Sequence, residues 1–327
     1  MNKNKTHKSK LIDIVNLNTY FFTSDGIVKA VNGMNLHVSE GEILGLVGES
    51  GSGKTITGYS ILGLIDYPGR IVSGEILFKN QNLINLDNNR LRHLRGNRIS
   101  MIFQDPMMTL NPVLRIDTQM IDTVIAHQKL NYSTARKMAL DILEKLGVDS
   151  PDHRLKSYPH ELSGGMRQRV AIGISLINKP DLIIADEPTT ALDVTIQSQI
   201  IYETQKLCKE IGTAIIWITH DLAVVAGLAD RVCVMYAGRD VEQGNVNAVI
   251  DNPKHPYTKG LISSIPANNK RKKPLFQIDG IPPSLKDTDD SCSFFNRCNK
   301  SKIKCKTEAI NNYFGNDRSY RCFYPYK

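Results

Sequence analysis

The octapeptide Gly48-Glu49-Ser50-Gly51-Ser52-Gly53-Lys54-Thr55, set directly after the apolar run Glu42-Ile43-Leu44-Gly45-Leu46-Val47, constrains this chain more than any other feature. A strand that is apolar at nearly every position is covered on both faces, which belongs to a parallel sheet with helices above and below. The glycines let the backbone curl, and a helix opening at Lys54 leaves its first N–H groups without partners inside the helix. Loop amides and helix N-terminus then face one small volume suited to phosphate oxygens. Lys54 adds a positive charge there, and the Thr55 hydroxyl is a hard donor for Mg²⁺. Gly48, Ser50, Gly51, Ser52, Gly53, Lys54 and Thr55 are therefore the expected phosphate-binding residues.

The rest of the chain agrees with that frame. Its 327 residues, 41% hydrophobic and 23% charged, exclude a disordered, collagen-like or coiled-coil chain and set a prior of two domains. Ser73 to Lys79 and Ile99 to Phe103 read as strands, and from about Asp117 to Leu162 the pattern is helical, clearest from Ala135 to Leu146 and ended by Gly147. Apolar strands at Asp181 to Asp186 and Thr213 to Thr219 flank a helix from about Val194 to Ile211. Alternation of this kind predicts an α/β fold with a mostly parallel sheet. Near Asn252 the texture becomes proline-punctuated and then basic, so a boundary is expected near residue 250, after a basic leader of residues 1–10. No apolar run reaches the roughly 18 residues of a spanning helix, and none after Lys10 resembles the apolar block of a signal peptide.

The formal charge of +8 invites a nucleic-acid reading until it is resolved by segment. Residues 1–10 contribute +4, residues 11–250 contribute −4 and residues 251–327 contribute +8. Basicity belongs to the ends, expected to be solvated and to lie close to anionic lipid headgroups, with Lys270 to Lys273 the densest run. Of six cysteines, Cys208 and Cys233 sit in apolar patterns and read as small core residues. Cys292, Cys298, Cys305 and Cys322 crowd into the last 36 residues, with gaps of five, six and 16 that match no C-x₂-C zinc knuckle. Four thiolates suit tetrahedral zinc or an iron–sulfur cube, and the spacing alone leaves zinc, iron–sulfur and no metal open.

Leu182-Ile183-Ile184-Ala185-Asp186-Glu187 supplies the acidic partners a phosphate loop needs. A buried strand delivers Asp186 to its C-terminal end for Mg²⁺, and Glu187 beside it is placed to polarise an attacking water. Upstream, Leu162-Ser163-Gly164-Gly165-Met166 reads as a helix start: Ser163 is a good N-cap, and the glycines leave backbone amides open to an anion.

With these residues in order, the chain resembles ATP-binding cassette (ABC) proteins over residues 11–250. Ser163, Gly164, Gly165 and Met166 match the signature segment, with Met166 where Gln is commonest. Gln104 matches the Q-loop, Ala191-Leu192-Asp193 the D-loop and His220 the switch histidine. The resemblance implies a P-loop cassette with a mostly parallel core, a small antiparallel β part and a helical subdomain at about 105–178. It implies ATP and Mg²⁺ as ligands, Mg²⁺ being held by Thr55, Gln104 and Asp186. Glu187, His220 and Gln104 are then the catalytic set, and Phe21, with Tyr20 as runner-up, stacks on the base. The signature of one subunit completes the site of another, which implies a head-to-tail dimer with Asp193 in its D-loop.

Two further stretches are similar to the ATPase subunits of the peptide and nickel class of bacterial importers: Phe103 to Pro112, and Asn252-Pro253-Lys254-His255-Pro256-Tyr257-Thr258-Lys259-Gly260-Leu261. Leu162 to Arg169 is closer to the D-type than to the F-type subunit of such importers. This implies an ATP-hydrolysing subunit that powers peptide import from the cytoplasmic face of the membrane, with residues 251–327 as a C-terminal extension. Implied partners are a related F-type ATPase, two transmembrane permease subunits and, indirectly, an extracellular substrate-binding protein. It also implies a [4Fe–4S] cluster on Cys292, Cys298, Cys305 and Cys322. A nickel or metal-chelate cargo is the alternative within the class. A nucleic-acid ATPase on the same cassette is the alternative outside it, although no inserted DNA-binding motif is present. A non-hydrolysing regulatory cassette is disfavoured by the presence of Lys54, Asp186, Glu187 and His220.

Overall fold

A computed structural model describes residues 9–190, 192–265, 276–286, 288–310, 312–315 and 318–327, without the side chain of Met108. Most of the basic leader, Ala191 of the expected D-loop and the run Lys270 to Lys273 lie outside the described residues. In chain order, β1 (Lys10–Thr23) and β2 (Gly26–Ser39) lead to β3 (Ile43–Val47), α1 (Lys54–Leu62), β4 (Gly69–Phe78) and β5 (Gln81–Asn82). There follow α2 (Asn88–Leu94), β6 (Ile99–Ile102), α3 (Pro106–Thr109), α4 (Ile116–Ile125), α5 (Tyr132–Lys145), α6 (Pro151–Leu155) and α7 (Gly164–Leu176). Next come β7 (Leu182–Asp186), α8 (Val194–Ile211), β8 (Ala214–Thr219), α9 (Leu222–Leu228), β9 (Arg231–Tyr236), β10 (Arg239–Asn245), α10 (Val246–Asp251) and α11 (Pro256–Ser263). The last elements are α12 (Ile303–Thr307), β11 (Tyr313–Gly315) and β12 (Arg318–Tyr320).

The chain divides into two compact units, one of Met1–Leu11, Ser39–Glu42 and Asn85–Ile216, the other of Ile12–Val38, Ile43–Ile84 and Trp217–Lys327. In the first, β6 and β7 run parallel in the register Ile99↔Leu182 to Ile102↔Ala185, and every residue of both strands is buried. The full burial explains why neither strand alternates in polarity. Helix α5 starts where the Asn131 side chain accepts from Thr134 N at 2.9 Å, buries Ala135, Ala139, Ile142 and Leu143 on one stripe, and gives way to Gly147 in the left-handed region. Helix α7 is seated on β6 by the Ser175 hydroxyl, which donates to the Met101 carbonyl at 3.0 Å.

The second unit holds an antiparallel sheet in the order β2-β1-β4-β5 and a mixed group in the order β11-β12-β10-β9-β3. Strands β3 and β9 are parallel, whereas β9, β10, β12 and β11 are antiparallel in succession. The described residues of 251–327, expected as an extension, thus fall in the same compact unit as β3 and α1. Their last strand, β12, pairs with β10 through Glu242↔Tyr320 and Gln243↔Ser319. Among the described residues no helix is long and apolar enough to cross a membrane.

Candidate functional site

In the second unit the phosphate loop joins buried β3 to α1. A Cβ on Gly48 would sit 2.1 Å from the Met235 carbonyl oxygen, and Gly53, at φ 100°, approaches the Ala30 carbonyl so closely that a Cβ would lie 2.2 Å away. Both positions therefore require glycine, one for space and the other for backbone conformation as well. Lys54 is buried and donates from Nζ to the carbonyls of Gly48 at 2.8 Å and Glu49 at 2.9 Å, so the ammonium sits inside the curl. The Ser52 hydroxyl is buried without a hydrogen-bond partner among the described residues. A buried orphan donor beside an ammonium is an unmet demand for an acceptor, the chemistry of a phosphate oxygen. Thr55 stands in the first turn of α1, half-buried.

Phe21 lies near the end of β1 with its ring against Gly69, where a Cβ would come within 2.6 Å of it. Tyr20 points its hydroxyl to Asn18 and Asn32 instead, at 3.2 and 3.1 Å, which leaves it occupied. His220 follows β8 and is exposed, and Asp221 after it caps α9 by accepting from Ala223 N at 2.8 Å.

The acidic residues lie in the first unit. Asp186 ends β7 and is 2% exposed. Glu187 has φ 44°, a left-handed conformation that is uncommon for a residue with a side chain and recurs where function over-determines the backbone. Its Oε2 accepts from Thr190 Oγ1 at 3.0 Å and from Gln104 Nε2 at 3.3 Å. The expected catalytic carboxylate and the expected Q-loop glutamine are thus direct neighbours.

Ser163 caps α7 by accepting from Met166 N at 3.3 Å, and Gly164 and Gly165 form its first turn. Asp193 caps α8 by accepting from Ile196 N at 3.0 Å. Helices α7 and α8 are joined behind these caps by an ion pair of Arg169 with Glu203.

In the second unit, all four tail cysteines line one cavity, together with His255, Phe294 and Phe323. Burial pushes the thiols up, Cys292 to about 12 and Cys322 to about 11, with Cys298 shifted the same way. No group of three or more His, Cys, Asp or Glu among the described residues is arranged to hold a metal ion. The expected [4Fe–4S] cluster therefore finds its donors gathered but gains no support from their arrangement.

Two residues that the motifs did not single out bear on the loop. Tyr257, in α11, accepts the Glu49 N–H on its hydroxyl at 2.9 Å, and Arg297 pairs with the Glu49 carboxylate at 2.8 Å. Tyr257 stands inside the quoted tail motif, whereas Arg297 carries no signal beyond its place before Cys298. The motif itself has a local reason. His255 N and Lys254 N both donate to Glu242 at 2.8 Å, and His255 Nδ1 accepts from Tyr257 N at 3.1 Å, which starts α11 and aims Tyr257 at the loop.

A strand–loop–helix with a buried ammonium and an acidic pair after a second buried strand defines a nucleotide-hydrolysing cassette. The ABC transporter family profile matches residues 31–190, and the profile for the C-terminal region of oligopeptide/dipeptide transporters matches residues 241–305. The dipeptide transport ATP-binding protein DppD of Bacillus subtilis is 46% identical over 297 residues, covering 90% of this chain and 89% of that one. The oligopeptide transport ATP-binding protein OppD of Escherichia coli is 43% identical over 315 residues, covering 96% and 93%. Among solved structures, a dimeric post-hydrolysis ATP-binding cassette, MJ0796, bound to ADP and Pi, aligns with a TM-score of 0.65 at 28% identity over 72% of this chain and 98% of that one. The cbiO1 protein of Clostridium perfringens, part of the transporter complex cbiONQ, aligns at 0.63 with 31% identity, over 75% and 92%. The chain belongs to the ABC transporter family, as one of its ATP-hydrolysing cassettes.

Proposed function

We propose that the chain is the ATP-hydrolysing subunit of a bacterial peptide importer, bound peripherally at the cytoplasmic face of the membrane. The observation that carries this is the match along some nine-tenths of its length to proteins named for dipeptide and oligopeptide transport. The match to the peptide-transporter C-terminal profile supports the same cargo class. Neither the metal-chelate nor the nucleic-acid alternative has comparable support.

ATP is bound by the amides of Gly48 to Thr55, the Lys54 ammonium and the Ser52 hydroxyl, with Phe21 against the base. Thr55, Gln104 and Asp186 offer the hard oxygen donors that suit Mg²⁺, which when bound offsets the charge of the phosphate oxygens. Glu187 orients and polarises the attacking water; Gln104 beside it senses the phosphate and links to the permease; His220 contacts the terminal phosphate. Ser163 to Met166 complete the site of a second ATPase, and Asp193 stands in the contact between the two. The proposed assembly pairs this chain head to tail with a related F-type subunit, on two permease subunits fed by an extracellular binding protein. Glu187→Gln lowers ATP turnover in the assembled transporter by about 10² to 10⁴ while ATP still binds. Undiminished turnover would refute the assignment of Glu187, and peptide uptake unaffected by deletion of the gene would refute the cargo.

The four-thiol cavity is the place proposed for the [4Fe–4S] cluster, since donor number and kind fit and the four cysteines line one cavity. Iron and sulfide assays after anaerobic purification test this, and a colourless, iron-free protein removes it.

A further inference from the structure

Glu49 is the only acidic side chain between Gly48 and Thr55, and it is held from outside the loop. Arg297 reaches it with both terminal nitrogens, Nη1 to Oε2 at 2.8 Å and Nη2 to Oε1 at 3.1 Å, in the forked geometry that guanidinium and carboxylate share. The third nitrogen, Nε, donates to the Asp279 carbonyl at 3.0 Å, and Nη1 also donates to the Tyr236 hydroxyl at 3.3 Å. The guanidinium carbon lies 5.8 Å from the Tyr236 ring centre and 5.9 Å from that of Phe294. The Arg297 side chain is 6% exposed and that of Glu49 25%, so the pair is partly buried, with the carboxylate side still reached by water and salt.

The position of the pair gives it meaning. The loop is built for a polyanion, and a carboxylate one residue after its first glycine opposes that ligand unless its charge is cancelled. Arg297 cancels it and fixes the side chain, while Tyr257 takes the Glu49 N–H. Arg297 directly precedes Cys298, and Phe294, against which it lies, lines the four-thiol cavity with Cys292 and Cys305.

We propose that Arg297 is a positioning residue for nucleotide binding, acting through Glu49, so that the cysteine-bearing segment of the tail sets the affinity of the phosphate loop for ATP. The assignment rests on the ATPase reading above. A mere staple between tail and loop would conserve the contact equally well, so the test must separate charge from attachment.

Affinity for MgATP is measured by titration calorimetry on the full chain for wild type, Arg297→Met, Glu49→Gln and the double variant, at about 0.05 and about 1 M salt. Arg297→Met weakens binding by about tenfold at low salt, because it uncovers the carboxylate, and the loss shrinks to under about threefold at high salt. Glu49→Gln binds more tightly than wild type, because it leaves Arg297 uncancelled, and the double variant returns to within about threefold of wild type. A double variant as weak as Arg297→Met, or a loss indifferent to salt, overturns the proposal. Should Arg297→Met not fold, Glu49→Gln decides alone: binding no tighter than wild type overturns it. A wild-type chain that does not bind MgATP overturns the ATPase reading itself.

Discussion

Glu242 offers the sharpest test of how the tail is fastened. It stands on β10, is 1% exposed, and its carboxylate accepts from Lys254 N and His255 N at 2.8 Å each while pairing with Arg318. Glutamine keeps the shape but turns one oxygen into a donor. In one orientation the new NH₂ faces His255 N; in the other it faces Lys254 N and Arg318, since Oε1 serves the latter two. Either way a donor meets a donor, and Arg318, at 12% exposed, loses its counter-charge. A hydrogen bond to a charged group is worth roughly 1.5–3 kcal/mol, and breaking a buried pair by removing one partner costs about 3–5 kcal/mol. Glu242→Gln is thus expected to lower unfolding stability by about 3–4 kcal/mol, read from urea titration as an earlier midpoint. Glu242→Gln with Arg318→Met regains at least about 1 kcal/mol by removing the orphaned charge. A loss below about 1 kcal/mol for the single variant, or no regain in the double, would show that the pair is solvated and the reasoning wrong.

Other consequences follow from the same geometry. Burial pulls the His255 imidazole down from its ordinary 6.5 to about 3, and Nδ1 must stay unprotonated to accept from Tyr257 N. A folded value below the unfolded one gives stability that is complete above pH 6.5 and lost as pH falls toward 3, roughly 2 kcal/mol of it by pH 5. His255→Asn, which retains a capping oxygen, should flatten that part of the pH–stability curve, and an unchanged slope would assign it to another group. Gly48→Ala, whose methyl would meet the Met235 carbonyl at 2.1 Å, is expected to abolish ATP binding in calorimetry while leaving β3 folded by circular dichroism; intact binding would contradict the loop geometry.

The cassette core was legible because its elements are long and their signals local. The run before Gly48 gave β3 as Ile43–Val47, the apolar stretch before Glu187 gave β7, and the stripe Ala135, Ala139, Ile142, Leu143 gave α5. Ser163 was readable as a cap because capping depends on one residue and the three amides after it. What escaped reading is long-range. Glu49 and Arg297 stand 248 positions apart, and no periodicity or spacing links them. Strands β11 and β12 are three residues each, too short for a period to declare itself, and exist because β10 offers an edge. The thiols illustrate a different limit: composition announces four donors, and only the fold shows that they line one shared cavity.

The tail's charge also changes meaning once side chains are placed. An excess of +8 in residues 251–327 was expected on solvated ends. Three arginines depart from that: Arg297, Arg318 and Arg321 turn inward, each at most 12% exposed, to Glu49, Glu242 and Asp240. Burial alone raises the Asp240 carboxyl, and Arg321 acts against that, so the carboxylate is tolerable only with its partner present. The acids belong to residues 11–250, the segment with net −4, and the arginines to the segment with +8. Three of the fifteen basic residues of 251–327 thus neutralise acids of residues 11–250, and Arg239 with Asp290 makes one pair in the opposite sense. Because such pairs cost desolvation on both sides, their main effect is to penalise any arrangement that separates the partners. Here they fix where β12 meets β10, where α11 begins and where the Glu49 side chain points, which ties the proline-punctuated tail to the geometry of the phosphate loop.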